Sequence, residues 1–115
     1  MRNAPLLLQD MLEAIDVIAR YTPGSFEEFE ADPPVQSHVI RHIAIIGEAA
    51  SRVPKEVRDA NVDIPWRQMS DMRNIVIHVY HGINWLRVYE TARDHVPKLR
   101  PQIAAVLASL PPDAQ

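Results

Sequence analysis

In the stretch LLLQDMLEAIDVI, the residues Leu7, Leu8, Met11, Leu12, Ile15 and Ile18 recur at three- and four-residue steps. The same period returns further along the chain, and no segment alternates with the two-residue period of a strand. A chain patterned this way has to bury helical stripes against one another, which restricts it to the all-α class. The first helix is predicted from about residue 4 to 21, ended by Pro23 and Gly24. The acidic segment that follows should tuck Phe26 and Phe29 inward and leave Glu27, Glu28, Glu30 and Asp32 solvated. After Pro33 and Pro34, the positions Val35, Val39, Ile43, Ile46, Ala49 and Ala50 form a second stripe running to about Arg52, where Pro54 stops it. Gly47 interrupts that stripe with a missing side chain and marks a place for a close helix passage.

A short element, KEVRDAN, leads to Pro65, which suits the first turn of a helix carrying Trp66, Met69, Met72, Val76 and Val79. Gly82 supplies a left-handed stop, and Asn84 an N-cap for the helix of Trp85, Val88, Tyr89 and Ala92. Pro97 and Pro101 are expected to break or kink the last stretch, whose apolar positions are Leu99, Ile103, Val106, Leu107 and Leu110. The expected architecture is a single domain over residues 1–115, an up-and-down bundle of four to five helices.

Composition narrows the function classes. The net charge of -3 lacks the broad basic footprint of a protein that coats nucleic acid, yet leaves room for a small local basic site. Cysteine is absent, so disulfides, thiolate metal sites and thiol catalysis are excluded. No apolar run approaches a membrane span, and the first residues do not read as a secretory leader, so a cytoplasmic protein without membrane contact is expected.

The costly groups gather in RNIVIHVY, residues 73 to 80. A histidine exchanges protons near neutral pH, and an arginine grips a phosphate with two parallel N–H donors. Together Arg73 and His78 suit phosphodiester cleavage, in which imidazole deprotonates an RNA 2′-hydroxyl while the guanidinium stabilises the developing charge, with no metal or other cofactor required. On one regular helix, five residues turn the two side chains about 140° apart. A joint site therefore needs a distorted turn or a second chain, which points to a symmetric dimer. The plain alternative is that His78 and Tyr80 satisfy one another or a carbonyl at a helix end while Arg73 forms a surface ion pair.

Other constellations are weaker. His38 and His42 share a helical face, as metal ligands would, but no third ligand is evident and Val39 stands where a zinc protease needs glutamate, so a packed or exposed pair is expected. Arg41, Glu48 and Arg52 suggest an ion-pair ladder, and Trp66, Trp85 and Met72 suggest core or dimer contacts. His81, at a corner, should be solvated. Glycine-rich phosphate loops, serine-nucleophile motifs and paired-carboxylate arrays are missing.

The run PWRQMSDMRNIVIHVYHGINW, residues 65 to 85, together with RHIAIIGEAASRVP, residues 41 to 54, resembles the HepT-like branch of the HEPN superfamily. The branch's arginine, polar residue, spacer, histidine and tyrosine fall on Arg73, Asn74, His78 and Tyr80. The resemblance implies a homodimeric helical bundle that acts as a metal-independent ribonuclease toxin on RNA, with tRNA among the candidate substrates. It also implies a minimal nucleotidyltransferase antitoxin as partner, which silences the toxin by transferring AMP to Tyr80. In this scheme Arg73 and His78 are catalytic and Asn74 positions the substrate. The competing reading is a noncatalytic nucleotide- or partner-binding subunit of a nucleotidyltransferase complex. Where relatives often carry aspartate and a Val-Trp pair, this chain has Asn84 and Val88-Tyr89, which touch no proposed catalytic group.

Overall fold

The computed structural model describes residues 3–75, 77, 81, 82 and 84–111. It is helical, with no strand among the described residues. The first helix, α1 (Ala4–Tyr21), buries Leu8, Met11, Ile15 and Ile18, the stripe read from the sequence. A single turn, α2 (Phe26–Glu30), is opened by Ser25, whose hydroxyl accepts the Glu28 amide, and it carries Phe29 fully into the core.

Helix α3 (Pro33–Arg52) begins on Pro33 itself, because a proline in the first turn forfeits only an amide that has no helical partner there. Asp32 is its N-cap, with Oδ1 accepting the Val35 amide at 3.2 Å, so this carboxylate has a structural task beyond solvation. The buried face of α3 carries Val39, Ile43, Ile46 and Ala50. Short helices α4 (Lys55–Ala60) and α5 (Trp66–Asp71) follow, and the Trp66 indole donates to the Asn61 carbonyl at 3.0 Å, closing the turn between them.

The chain from Trp85 onward departs from expectation. Helix α6 (Trp85–Glu90) runs into a π-helical turn at Thr91–His95 and then into α7 (Val96–Ser109), with Pro101 inside a helix that continues unbroken. At the junction the Val96 amide bonds back to the Thr91 carbonyl, five residues away. Pro97 offers no amide at the step where the ladder returns from the wide to the ordinary register, so it fits where an ordinary residue would need a partner. Buried Val96, Leu99, Ile103 and Val106 hold α7 against the core on both sides of Pro101.

Helices α1, α3 and α7 form the centre, α1 lying between the other two. Full burial of each Leu or Ile in this cluster contributes about 1.5–3 kcal/mol, which makes packing rather than surface charge the main source of stability. One exposed clamp joins α7 to α1, the Arg100 guanidinium donating to both Asp16 carboxylate oxygens at 2.7 and 3.0 Å. At the far end of α6, Tyr89 packs on Phe26 and Phe29 and donates its hydroxyl to the Pro23 carbonyl at 2.9 Å. The expected ladder of Arg41, Glu48 and Arg52 does not form among the described residues. All three are exposed; two helical turns separate Arg41 from Glu48 by about 10 Å, beyond ion-pair reach, and Glu48 and Arg52, one turn apart, stay solvated. No helix among the described residues is long and apolar enough to cross a membrane.

Candidate functional site

The geometry of the site starts with Gly47 on α3. A β-carbon placed there would lie 2.1 Å from the Arg73 nitrogen, 2.7 Å from the Met72 carbonyl carbon and 2.8 Å from the Arg73 α-carbon. The backbone of Met72 and Arg73 therefore rests directly on the backbone of α3, in space that only glycine leaves open. Here the chain leaves α5 and tightens into a 3-10 turn, Met72–Asn74. Around it, Met69 is buried and Met72 and Ile75 pack against the core.

That seat fixes the main chain and points Arg73 outward. Its side chain is exposed, Asn74 beside it is half-buried, and no ion pair engages Arg73 among the described residues. The surface ion pair that the plain alternative assigns to Arg73 is thus not formed with any described carboxylate. His78 and Tyr80 lie outside the described residues. The far end of the segment is defined by its exit: the His81 amide bonds to the Ile77 carbonyl at 3.2 Å, and Gly82 takes φ of 84°. Asn84 Oδ1 then accepts the Leu86 amide at 2.9 Å, the cap expected for α6, and His81 is exposed. The sequence motif is thus entered through a tight turn and left through a left-handed one, so its helix is distorted at Arg73 itself.

Beside this turn a cleft of about 1300 Å³ separates the α5 segment from the α6–α7 helix. Met72 and Ile75 form part of its floor, so the cleft begins next to Arg73. Arg87, His95 and Lys98 stand on the α6–α7 side and Asp63 and Asp71 on the opposite side. Sequence reading passed over these five residues because they are scattered over some thirty-five positions and match no short motif. Gly47 was visible as a missing side chain, but its partner was not.

Elsewhere, His38 and His42 stack with ring centroids 4.5 Å apart, and Tyr21 meets His38 edge-on at 4.6 Å. The His42 Nδ1 lies 2.8 Å from the His38 carbonyl oxygen, and because a carbonyl only accepts, that nitrogen carries the proton. Among the described residues no group of three or more His, Asp or Glu side chains is arranged to hold a metal ion. Trp66 is buried, and Trp85 is half-buried and edge-on to Phe29, as core residues are.

Comparison with known proteins bears on the same segment. The model of the family described as ribonuclease HepT-like matches residues 11–106, which include the seat on α3, the turn at Arg73 and the cleft walls. A protein named probable ribonuclease HepT from Thermococcus cleftensis is 37% identical over 94 residues, covering 81% of this chain and 86% of its own length. A candidate RNase of Caldanaerobacter subterraneus subsp. tengcongensis is 35% identical over 103 residues, covering 90% and 92%. Another, from Methanocaldococcus jannaschii, is 31% identical over 110 residues, covering 95% and 91%. No solved structure matches the chain significantly. With the all-helical bundle and a family match that spans the core helices and the arginine-bearing turn alike, the chain belongs to the HepT-like ribonuclease family.

Proposed function

We propose that this protein is a metal-independent RNA endonuclease that works as the toxin of a toxin-antitoxin pair. The observation that carries the reading is Arg73: a guanidinium exposed and without an ion pair among the described residues, on a turn whose backbone is fixed against α3, in a chain of a ribonuclease family. A cation held by its main chain yet open to solvent can take a phosphodiester with little reorganisation, the condition for electrostatic stabilisation of a transition state.

In the proposed reaction His78 removes the proton of an RNA 2′-hydroxyl. The 2′-oxygen bonds to the adjacent phosphorus as the bond from phosphorus to the 5′-oxygen breaks, and the proton passes to the departing 5′-oxygen. The products are a 2′,3′-cyclic phosphate and a 5′-hydroxyl, so atoms and charge balance without redox chemistry or a metal. Arg73 neutralises charge on the phosphoryl oxygens, and Asn74 orients the substrate by hydrogen bonding. A homodimer brings the two motif faces together. A minimal nucleotidyltransferase partner silences the enzyme by adding AMP to Tyr80, because a bulky anion beside Arg73 excludes the RNA phosphate by volume and by like charge.

Purified protein incubated with RNA in EDTA is expected to cleave it and to leave cyclic phosphate ends. Arg73→Ala should abolish cleavage while the thermal transition stays within about 0.5 kcal/mol of the wild type, as for an exposed side chain away from the core. Full cleavage by a folded Arg73→Ala or His78→Ala protein would overturn the assignment. Intact-mass measurement after coexpression with a minimal nucleotidyltransferase tests the modification, and loss of the added mass in Tyr80→Phe locates it.

A further inference from the structure

The cleft beside Arg73 carries more than the motif uses. Its volume of about 1300 Å³ exceeds the range of about 300–1,000 Å³ typical of small-molecule pockets, so it suits a segment of polymer. Its two sides differ in charge. Arg87, His95 and Lys98 stand on the α6–α7 side, all exposed, while Asp63 and Asp71 stand on the α5 side, also exposed. None of Arg87, Lys98, Asp63 and Asp71 is in an ion pair among the described residues.

The π-helical turn brings His95 into line with Arg87, while Lys98, eleven residues from Arg87, comes to lie about 80° round the helix from it and still lines the cleft. Eight residues of regular α-helix would turn Arg87 and His95 about 80° apart. A π turn absorbs one extra residue, or about 100°, and leaves them within about 20° of one another. From Arg87 to Lys98 this side spans about 16 Å of helix, long enough for more than one phosphate of an extended strand. Between the charged sides lies an apolar strip in which Met72 and Ile75 are half-buried and reach the cleft, a surface on which a base can lie.

We propose that this cleft is the binding track for single-stranded RNA leading to Arg73, with the sugar-phosphate backbone on Arg87 and Lys98 and unpaired bases over Met72 and Ile75. The proposal rests on the ribonuclease reading and adds to it the path of the substrate and the strandedness it requires. Asp63 and Asp71 keep phosphates off the opposite side and so set which way the strand faces. A second copy of the chain is a less suitable occupant, because the core of a protein interface is depleted of charged residues, whereas Asp63, Asp71, Arg87 and Lys98 line this cleft with no ion pair among the described residues.

The test is a salt titration of binding by a fluorescent single-stranded RNA too short to pair. Arg87→Gln with Lys98→Gln should weaken binding at least tenfold and lower the slope of log affinity against log salt by about 1.4, from about 0.7 per lost phosphate contact. Asp63→Asn with Asp71→Asn should tighten binding several-fold at low salt, an improvement that damage to the fold would not produce. Arg58→Gln, an exposed cation on α4, should change neither quantity. If wild-type protein cleaves RNA but the Arg87 and Lys98 variant binds with unchanged affinity and slope, the track is refuted and the ribonuclease reading stands. If wild-type protein neither binds nor cleaves RNA, both fail. A variant whose sedimentation mass changes while RNA binding per protein is unaltered would make the cleft a contact between copies, which also overturns the proposal.

Discussion

Replacing Gly47 by alanine puts two opposite expectations against each other. In an ordinary exposed helix the change stabilises by about 1 kcal/mol, since alanine holds helical geometry at lower entropic cost. Here the added carbon would sit 2.1 Å from the Arg73 nitrogen, about 1.3 Å closer than comfortable contact allows. All three nearest atoms belong to backbone, so no side chain can rotate away and the 3-10 turn itself has to retreat. Overpacking of this kind costs about 1–3 kcal/mol and occasionally more, and a rigid obstacle belongs at the upper end. After the helix gain is offset, a net loss of about 2 kcal/mol remains, which lowers the thermal midpoint by on the order of 10 °C for a chain of this size. A displacement of that size at a catalytic group reduces turnover by about a hundredfold.

Thermal melting followed by circular dichroism, with single-turnover RNA cleavage well below the midpoint, reads both effects. Gly24→Ala is the internal contrast, because a β-carbon there meets nothing within 4 Å and the change should be neutral or stabilising by up to about 1 kcal/mol. A Gly47→Ala protein as stable as the wild type and fully active would refute the close backbone seat and the reasoning built on it.

Three smaller expectations concern the frame. Tyr89→Phe removes the hydroxyl bonded to the Pro23 carbonyl and should cost about 1 kcal/mol in urea denaturation. Asp32→Ala loses the N-cap of α3 and should cost a similar amount, about 1 kcal/mol, with Asp32→Asn retaining most of it. The Arg100 hydrogen bond and charge hold the Asp16 carboxyl below its ordinary range. A carboxyl depressed in the folded state contributes stability above its unfolded value near 4, and that contribution is lost as pH falls through the folded value. Asp16→Asn should therefore flatten the acid limb of the stability curve slightly and leave stability near neutral pH little changed, since the pair is half exposed.

Residues with local causes were legible before any coordinates. The apolar stripe of α1 ends where Pro23 and Gly24 require, and Gly82 and Asn84 form the left-handed turn and cap that their chemistry favours. What escaped has causes that no neighbouring residue carries. Pro97 and Pro101 read as breakers, but they sit within helix because Leu99, Ile103 and Val106 are held by the core and because the π turn takes up the change of register. Arg41 and Glu48 fall on one stripe of the sequence, yet two helical turns hold them about 10 Å apart, and between Glu48 and Arg52, one turn apart, water competes with the pairing. At the site, Arg73 could be named from its motif, whereas the opposed charges of the cleft depend on a fold that brings residue 63 across from residue 98.

The Met72–Asn74 turn takes its contacts chiefly from α3 and the adjoining α5, while α1 packs chiefly on α3 and α7. One helix thus serves as the ruler from which the arginine's position is measured. Drift in the sequences of α1 and α7 can proceed as long as α3 stays in place, so distant relatives should differ more in α1 and α7 than at this seat and still present the guanidinium at one height beside the groove.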